Sequence, residues 1–183
     1  MALTDDLRRI AEAAGGHAGE DEEVSAVIPT EPAGGQRVYL VAYTAGERQA
    51  WLALDAEGRP VTDRRVLRDA VSIAGMCELA EETAGGGHLP ELRSQLETLR
   101  ATEAPEGIDE AETALDELER TIGGELRVAS PAYLDEVGAA TRRLEQALGD
   151  HGASPFLEAM KQAGLTIDGL TADIESHYKA PLD

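Results

Sequence analysis

The feature that most restricts the fold of this chain is a long, broadly apolar helical pattern between Thr62 and Ala84. At about 100° per residue, its apolar side chains cover more than half of a helical wheel, whereas a helix on one surface needs only a narrower stripe. They are Val66, Leu67, Ala70, Val71, Ile73, Ala74, Met76, Cys77 and Ala80. Thr62 is a suitable N-cap, and the glycines that begin at Gly85 end the pattern. We therefore expect a helix over 62–84 that is covered on two sides, by a sheet and by other helices.

Most of the chain before this helix has the period of two that is typical of strands. Residues 4–14 predict a short helix, after which 24–28, 38–43 and 50–54 predict strands. The middle strand segment is apolar on both faces, so we expect a central strand there. Short connections favour an antiparallel meander of three or four strands. The N-terminal part therefore has the predicted order α-β-β-β-α.

The chain after this helix shows a helical period and no strand pattern. Apolar residues recur at spacings of three and four from 89 to 99, and again from 108 to 122. Such narrow seams with charged flanks are typical of coiled coils. The linker between them is short, so we expect an antiparallel helical hairpin.

Two further helices should begin at Ser130-Pro131 and Ser154-Pro155, with serine as the cap and proline at the first helical position. The second should end at Gly164, and a last helical seam should run from 167 to 178. The sequence therefore predicts an α+β protein. We expect an α+β domain over 1–86 and a bundle of four to five helices over 87–183, unless the two form one compact unit.

The charge of the chain limits the partners that it can bind. It carries 36 acidic and 16 basic residues, a formal net charge of −20. A field of that sign repels nucleic acids and anionic lipids and favours cationic partners. The single cysteine, Cys77, excludes an intrachain disulfide and is typical of a reducing compartment. With no signal-peptide pattern at the start and no apolar run of membrane-spanning length, the expected location is the cytoplasm.

Catalytic and metal-binding patterns are not found in the sequence. The four histidines are His17, His88, His151 and His177, and none has a partner at ligand spacing. The HExxH and CxxC motifs are missing, as is the lysine that would turn the glycines after Ala84 into a phosphate loop. We expect no cofactor, no metal site and no catalytic residue, and we interpret the acid-rich helices as solvated faces.

A cluster of arginines precedes and opens the central helix. It consists of Arg59, Arg64, Arg65 and Arg68. One interpretation is pairing within the protein, for instance between Arg65 and Asp69 or with the C-terminal helices. The other is a site for an anion or for the carboxylates of a partner, helped by the free N–H groups of the first helical turn.

Three of the six aromatic residues lie close together in sequence, at Tyr39, Tyr43 and Trp51. If Tyr43 lies opposite Trp51 in the hairpin, all three line one face of the sheet. If Tyr43 lies opposite Ala50, Trp51 points the other way, because a slip of one residue reverses every side chain. The alternatives are a binding surface made of aromatic rings and ordinary core packing.

The order α-β-β-β-α in an acidic chain resembles the small acidic chaperones of secretion systems. That resemblance covers less than half of the chain and implies a dimer that holds extended client segments. Together with the helical seams and the charge, it leads us to expect a non-catalytic cytoplasmic interaction or adaptor protein, with a protein partner or a second copy as ligand. The alternative is a small-molecule sensor or enzyme with a pocket between sheet and helices near Trp51.

Overall fold

The computed structural model describes residues 3–85, 89–103, 106–123, 127–147 and 155–183. The predicted α+β class is confirmed: a three-stranded sheet with helices is followed by further helices. The elements are α1 Leu3–Gly16, β1 Glu23–Thr30, β2 Val38–Ala45, β3 Arg48–Leu54, α2 Arg64–Thr83, α3 Leu89–Thr102, α4 Ile108–Ile122, α5 Pro131–Ala147 and α6 Pro155–Ser176. The predicted helix stop at Gly86 and Gly87 lies outside the described residues, as do His88, His151 and Ser154.

Contacts divide the chain into two compact units, neither of which is a single stretch of sequence. The first unit consists of Met1–Gly75, Leu126–Pro131 and Leu165–Asp183. The second consists of Met76–Glu125 and Ala132–Gly164. The domain boundary predicted after residue 86 stays a prediction.

The sheet of the first unit is an antiparallel meander in the order β1-β2-β3. Every residue of β2 from Val38 to Tyr43 is buried, as expected for a strand that is apolar on both faces. The β1–β2 register shifts by one residue between Val24 and Ala26, which is the pattern of a β-bulge.

Each face of the sheet is covered by helices of the same unit. On one face, Tyr39, Val41 and Tyr43 of β2 pack with Ile10 and Ala14 of α1. On the other face a second cluster combines strand side chains with those of α2 and α6; it contains Val38, Leu40, Ala53, Leu67, Ala70, Val71 and Ile174. The apolar character of the first half of α2 is thus explained by contact with both strands and α6.

The N-cap of α2 lies one residue later than predicted, and the helix begins at Arg64. The carboxylate of Asp63 accepts a hydrogen bond of 2.9 Å from the N–H of Arg65, so Asp63 caps the helix instead of Thr62. The carbonyl oxygen of Thr62 instead accepts a hydrogen bond of 2.9 Å from the N–H of Asp183. Both are good N-cap residue types, and the sequence pattern alone did not distinguish them.

The segment after α6 covers the outer edge of β3. Trp51 donates its N–H to His177 O at 3.0 Å, and Lys179 donates its N–H to Trp51 O at 2.8 Å. Tyr178, which we placed in a helical seam, therefore lies in a short parallel bridge beyond the end of the helix. This bridge satisfies backbone groups that an edge strand would otherwise expose.

The second unit contains the predicted antiparallel pair α3 and α4. Arg93, near the start of α3, bonds Glu119 near the end of α4 at 2.8 Å, and Arg100 bonds Glu112 at 2.7 Å. The seam residues Leu89, Leu96, Ile108, Ala111, Leu115 and Leu118 are buried. The seams that suggested partner helices are thus filled to a large extent within the chain.

The predicted end of a helix at Gly164 is wrong, because α6 runs without interruption from Pro155 to Ser176. A glycine inside a helix costs about 1 kcal/mol relative to alanine. Burial of Phe156, Ala163, Ile167 and Ile174 along the helix outweighs that cost. None of the helices in the described ranges is both long and apolar enough to cross a membrane.

Candidate functional site

Three of the four clustered arginines are paired with carboxylates of the first unit. Arg59 Nε lies 3.0 Å from Asp55 Oδ2. Arg64 Nη1 lies 3.1 Å from Glu175 Oε2, and Arg68 Nε lies 2.6 Å from Glu175 Oε1. The hydrogen bond from Arg68 lowers the pKa of Glu175 below its ordinary value. The structure thus brings Arg64 and Arg68 together on one carboxylate of α6.

The fourth member of the cluster, Arg65, is exposed to solvent. Within the described part of the chain its side chain makes no ion pair, including the pair with Asp69 that the sequence suggested. An added anion would have to displace Glu175 from Arg64 and Arg68, which makes these two residues poor free anion ligands. The contacts therefore favour pairing within the protein over an arginine-lined anion site.

The strand register separates the aromatic residues. Tyr43 lies opposite Ala50, and Ala42 lies opposite Trp51. Tyr39 and Tyr43 belong to the cluster on the α1 face, whereas Trp51 packs against the cluster on the α2 face. The surface in which all three rings line one face is therefore excluded, and the tyrosines serve core packing.

An open cleft of about 680 Å³ lies beside the β2–β3 hairpin in the first unit. Lys179 Nζ pairs with Glu22 there and lies 4.9 Å from the centroid of the Tyr43 ring. The side chains of Lys179 and Glu22 are only 18% and 22% exposed. The hydrogen bond from Lys179 lowers the pKa of Glu22, and burial raises the pKa of Tyr43 to about 12.

The cleft is lined by neighbours of Trp51, but the Trp51 side chain does not line it. Its lining contains Ala50 and Tyr178, the chain neighbour and the bridge partner of Trp51. Trp51 Nε1 is buried and has no hydrogen-bond partner among the described residues. The tyrosine hydroxyls of the cleft are engaged inside the protein, since Tyr43 donates to Ala14 O at 2.8 Å and Tyr178 donates to Val61 O at 2.6 Å.

We expect Lys179→Met to lower the free energy of unfolding by about 1–2 kcal/mol at pH 7, because it leaves the half-buried Glu22 carboxylate without its cation. Urea denaturation measures this change. The matched control is Lys161→Met, which removes the other lysine from an exposed pair with Glu158. That control should change stability by less than about 0.5 kcal/mol.

The same pair gives a pH dependence with a defined sign. The pKa of Glu22 is lowered from 4.5, so the ion pair contributes fully to the free energy of unfolding above pH 4.5. That contribution is lost as the pH falls through the lower pKa that Glu22 has in the folded protein. The stability difference between the wild type and Lys179→Met should therefore narrow in the acid range below pH 4.5. A difference that stays constant down to pH 3 would contradict the role of the pair.

One large apolar side chain is nearly free of contacts on α6. Leu165 is 84% exposed, far more than Leu157 at 40%, the other exposed leucine of this helix. Sequence reasoning missed it because the helix was predicted to end at Gly164. Continuing the helical period through that glycine places Leu165 about 200° away from Ile167, on the side opposite the buried seam.

No group of three or more metal-ligating side chains is found within the described ranges. His17 and His177 are exposed, and the Cys77 thiol is buried. Several carboxylates of α4 lie beside arginines; examples are Glu119 with Arg93 and Glu112 with Arg100. These carboxylates act as ion-pair partners on the helix surfaces.

Comparison of the chain with protein-family models, with curated proteins and with solved structures finds no match. The surfaces of the protein are therefore the basis for a functional proposal. The arginines are mostly paired and the tyrosines are part of the core, so exposed apolar side chains and unpaired charges carry the remaining information.

Proposed function

We propose that the protein is a non-catalytic, cytoplasmic interaction or adaptor protein that binds a protein partner. The observation that carries this proposal is the exposure of Leu165 at 84%. Asp168, Gly169 and Ala172 follow it at helical spacing and are also exposed. We name these four residues the Leu165 face. A Cβ built on Gly169 would meet no side chain other than those of its chain neighbours within 4 Å, so there is open space beside the leucine.

The energetics of this face suit an anchor in a larger contact. Burial of a leucine side chain contributes about 1.5–3 kcal/mol. Hot-spot residues of that strength are usually surrounded by weaker contacts that exclude water. A second copy of the chain would bring two bodies of formal charge −20 together, so we favour a partner with a cationic rim over a homodimer.

Site-specific photo-crosslinking at position 165 tests the proposal. A benzophenone amino acid in place of Leu165 should give a discrete adduct with a protein other than a second copy in cells of the source organism. The same amino acid in place of Ser72, an exposed residue of α2, is the matched control and should not give that adduct. Ala172→Arg should reduce the adduct at position 165 at least tenfold, because a charged side chain blocks the face.

Three outcomes would overturn the proposal. The first is the same set of adducts from positions 165 and 72. The second is an adduct at position 165 that is unaffected by Ala172→Arg. The third is an adduct with the mass of two copies, which would assign the face to self-association.

A second candidate function is small-molecule binding in the cleft beside the hairpin. Its volume of about 680 Å³ is within the range of ligand sites. It ranks second because Lys179 is already paired with Glu22 and the hydroxyls of Tyr43 and Tyr178 bond backbone oxygens. Few polar groups of the cleft are therefore free to select a ligand.

A further inference from the structure

A groove of about 620 Å³ separates α4 and α5 in the second unit. On α4 it is lined at spacings of three and four by Glu110, Thr113, Ala114 and Glu117, and α5 contributes a matching stripe that ends at Ala147. The stripe on α4 covers two helical turns, or about 11 Å. Ala114 lines the groove but is only 4% exposed, so the surface open to a partner on α4 lies at the exposed residues Glu110 and Thr113.

The rim of this groove is acidic. Asp109, Glu110 and Glu117 of α4 line it against a single guanidinium, that of Arg143 on α5. Asp109 is bonded by Arg100 and Glu117 by Arg143. Glu110 is exposed and makes no ion pair with any residue that the structure describes. A cation placed beside Glu110 would therefore gain a partner without displacing one.

We propose that the α4–α5 groove binds an amphipathic helix of a partner protein, whose apolar face is flanked by lysine or arginine. The inference depends on the proposed interaction function but uses a surface distinct from the Leu165 face. A helix satisfies its own backbone hydrogen bonds, whereas an extended peptide would find no strand edge between two helices. The groove presents small side chains to the apolar face and carboxylates to the basic flanks.

The negative charge of α4 favours a basic partner helix over a second copy of the chain. Helix α4 carries six acidic residues, Asp109, Glu110, Glu112, Asp116, Glu117 and Glu119. A second copy that docked its own α4 here would bring two such helices together, and their repulsion opposes that arrangement. A basic helix has the complementary charge, and the protein as a whole attracts it at a distance.

The probe for this inference is a synthetic 18-residue helical peptide with leucines on one face and lysines on the other. Its control has glutamate in place of each lysine. Nuclear magnetic resonance of the full chain in 150 mM NaCl, where the screening length is about 8 Å, separates local contacts from general attraction. We expect saturable shifts confined mainly to the amides of 109–117 and 143–147 for the lysine peptide, and none for the glutamate peptide.

Two variants locate the site. Thr113→Trp fills the groove from an exposed position and should weaken binding of the lysine peptide at least tenfold. Glu110→Lys should weaken it about fivefold, whereas Glu97→Lys changes the net charge equally on an exposed position of α3 outside the groove and should have less than a twofold effect.

Equal weakening by Glu110→Lys and Glu97→Lys would overturn the inference, because it would show attraction without a site. So would shifts centred elsewhere, equal binding of the glutamate peptide, or a dimer that the peptide displaces. Crosslinking at position 165 that persists in Thr113→Trp, together with a failed peptide test, would reject the groove and leave the proposed function standing.

Discussion

Replacing Tyr178 with alanine is expected to lower the free energy of unfolding by about 3 kcal/mol or more. The ring packs against both hydrophobic clusters of the first unit, one on each face of the sheet. Its hydroxyl donates to Val61 O at 2.6 Å and accepts from Ala53 N–H at 3.1 Å. Burial also raises the pKa of Tyr178, because the charged phenolate would lie among apolar groups.

The phenylalanine variant separates the two contributions. Tyr178→Phe keeps the ring and removes the hydroxyl, and it should cost about 1–3 kcal/mol because buried backbone groups lose their partner. Asp183→Ala is the control on the same segment and should cost less than about 0.5 kcal/mol, since its side chain is exposed. Urea denaturation measures the free energy of unfolding of each variant.

Hydrogen exchange adds a local readout of the same change. The N–H of Trp51 donates to His177 O, so its exchange should accelerate in Tyr178→Ala more than that of Leu40 in the central strand. Stability of Tyr178→Ala within 1 kcal/mol of the wild type would contradict the idea that the segment after α6 anchors the edge of the sheet.

The elements with strong local patterns could be predicted from the sequence. The central strand was identifiable because 38–43 is apolar on both faces, and α2 because its apolar arc is unusually wide. The pair α3 and α4 followed from two seams and a short linker, and α5 from a serine followed by a proline. In each of these cases the residues that decide the structure lie within a few positions of each other.

Features that depend on residues far apart in sequence could not be predicted. Glu175 of α6 binds Arg64 and Arg68 across more than a hundred residues. The sequence suggested that the arginines pair either with Asp69 or with the C-terminal helices, but it did not identify Glu175 as the partner. The bridge between Trp51 and Tyr178 likewise has no local signal.

The hairpin register was undecided for a different reason. Short alternating strands fit either alignment of Tyr43 with its neighbours, and only the packed sheet chooses Ala50. Whether the three aromatic residues could form one binding surface depended on that register. The candidate site on α6 was missed for a related reason, since Leu165 stands out only once the helix is known to continue through Gly164.

The second large expected effect concerns two glycines inside helices. Replacing Gly75 should lower the free energy of unfolding, whereas replacing Gly169 should not. A Cβ built on Gly75 of α2 would lie 3.2 Å from Ile167 Cγ1 of α6, tighter than most real contacts. Gly75→Leu should therefore lower the free energy of unfolding by about 2–3 kcal/mol through overpacking. Gly169 of α6 has open space where a Cβ would be, so Gly169→Ala should raise it by about 0.5–1 kcal/mol.

Thermal and urea unfolding of both variants measure these changes, and Gly169→Leu is the control for side-chain size. A Cβ at position 169 meets no neighbour within 4 Å, and leucine is a good helix former, so we expect leucine there not to destabilise the protein as leucine at position 75 does. If Gly75→Leu and Gly169→Leu lowered the free energy of unfolding equally, the close approach of Ile167 to Gly75 could not be the cause. A loss confined to position 75 would instead show that a glycine is kept in the middle of α2 for the close contact with α6, at a cost in helix propensity of about 1 kcal/mol.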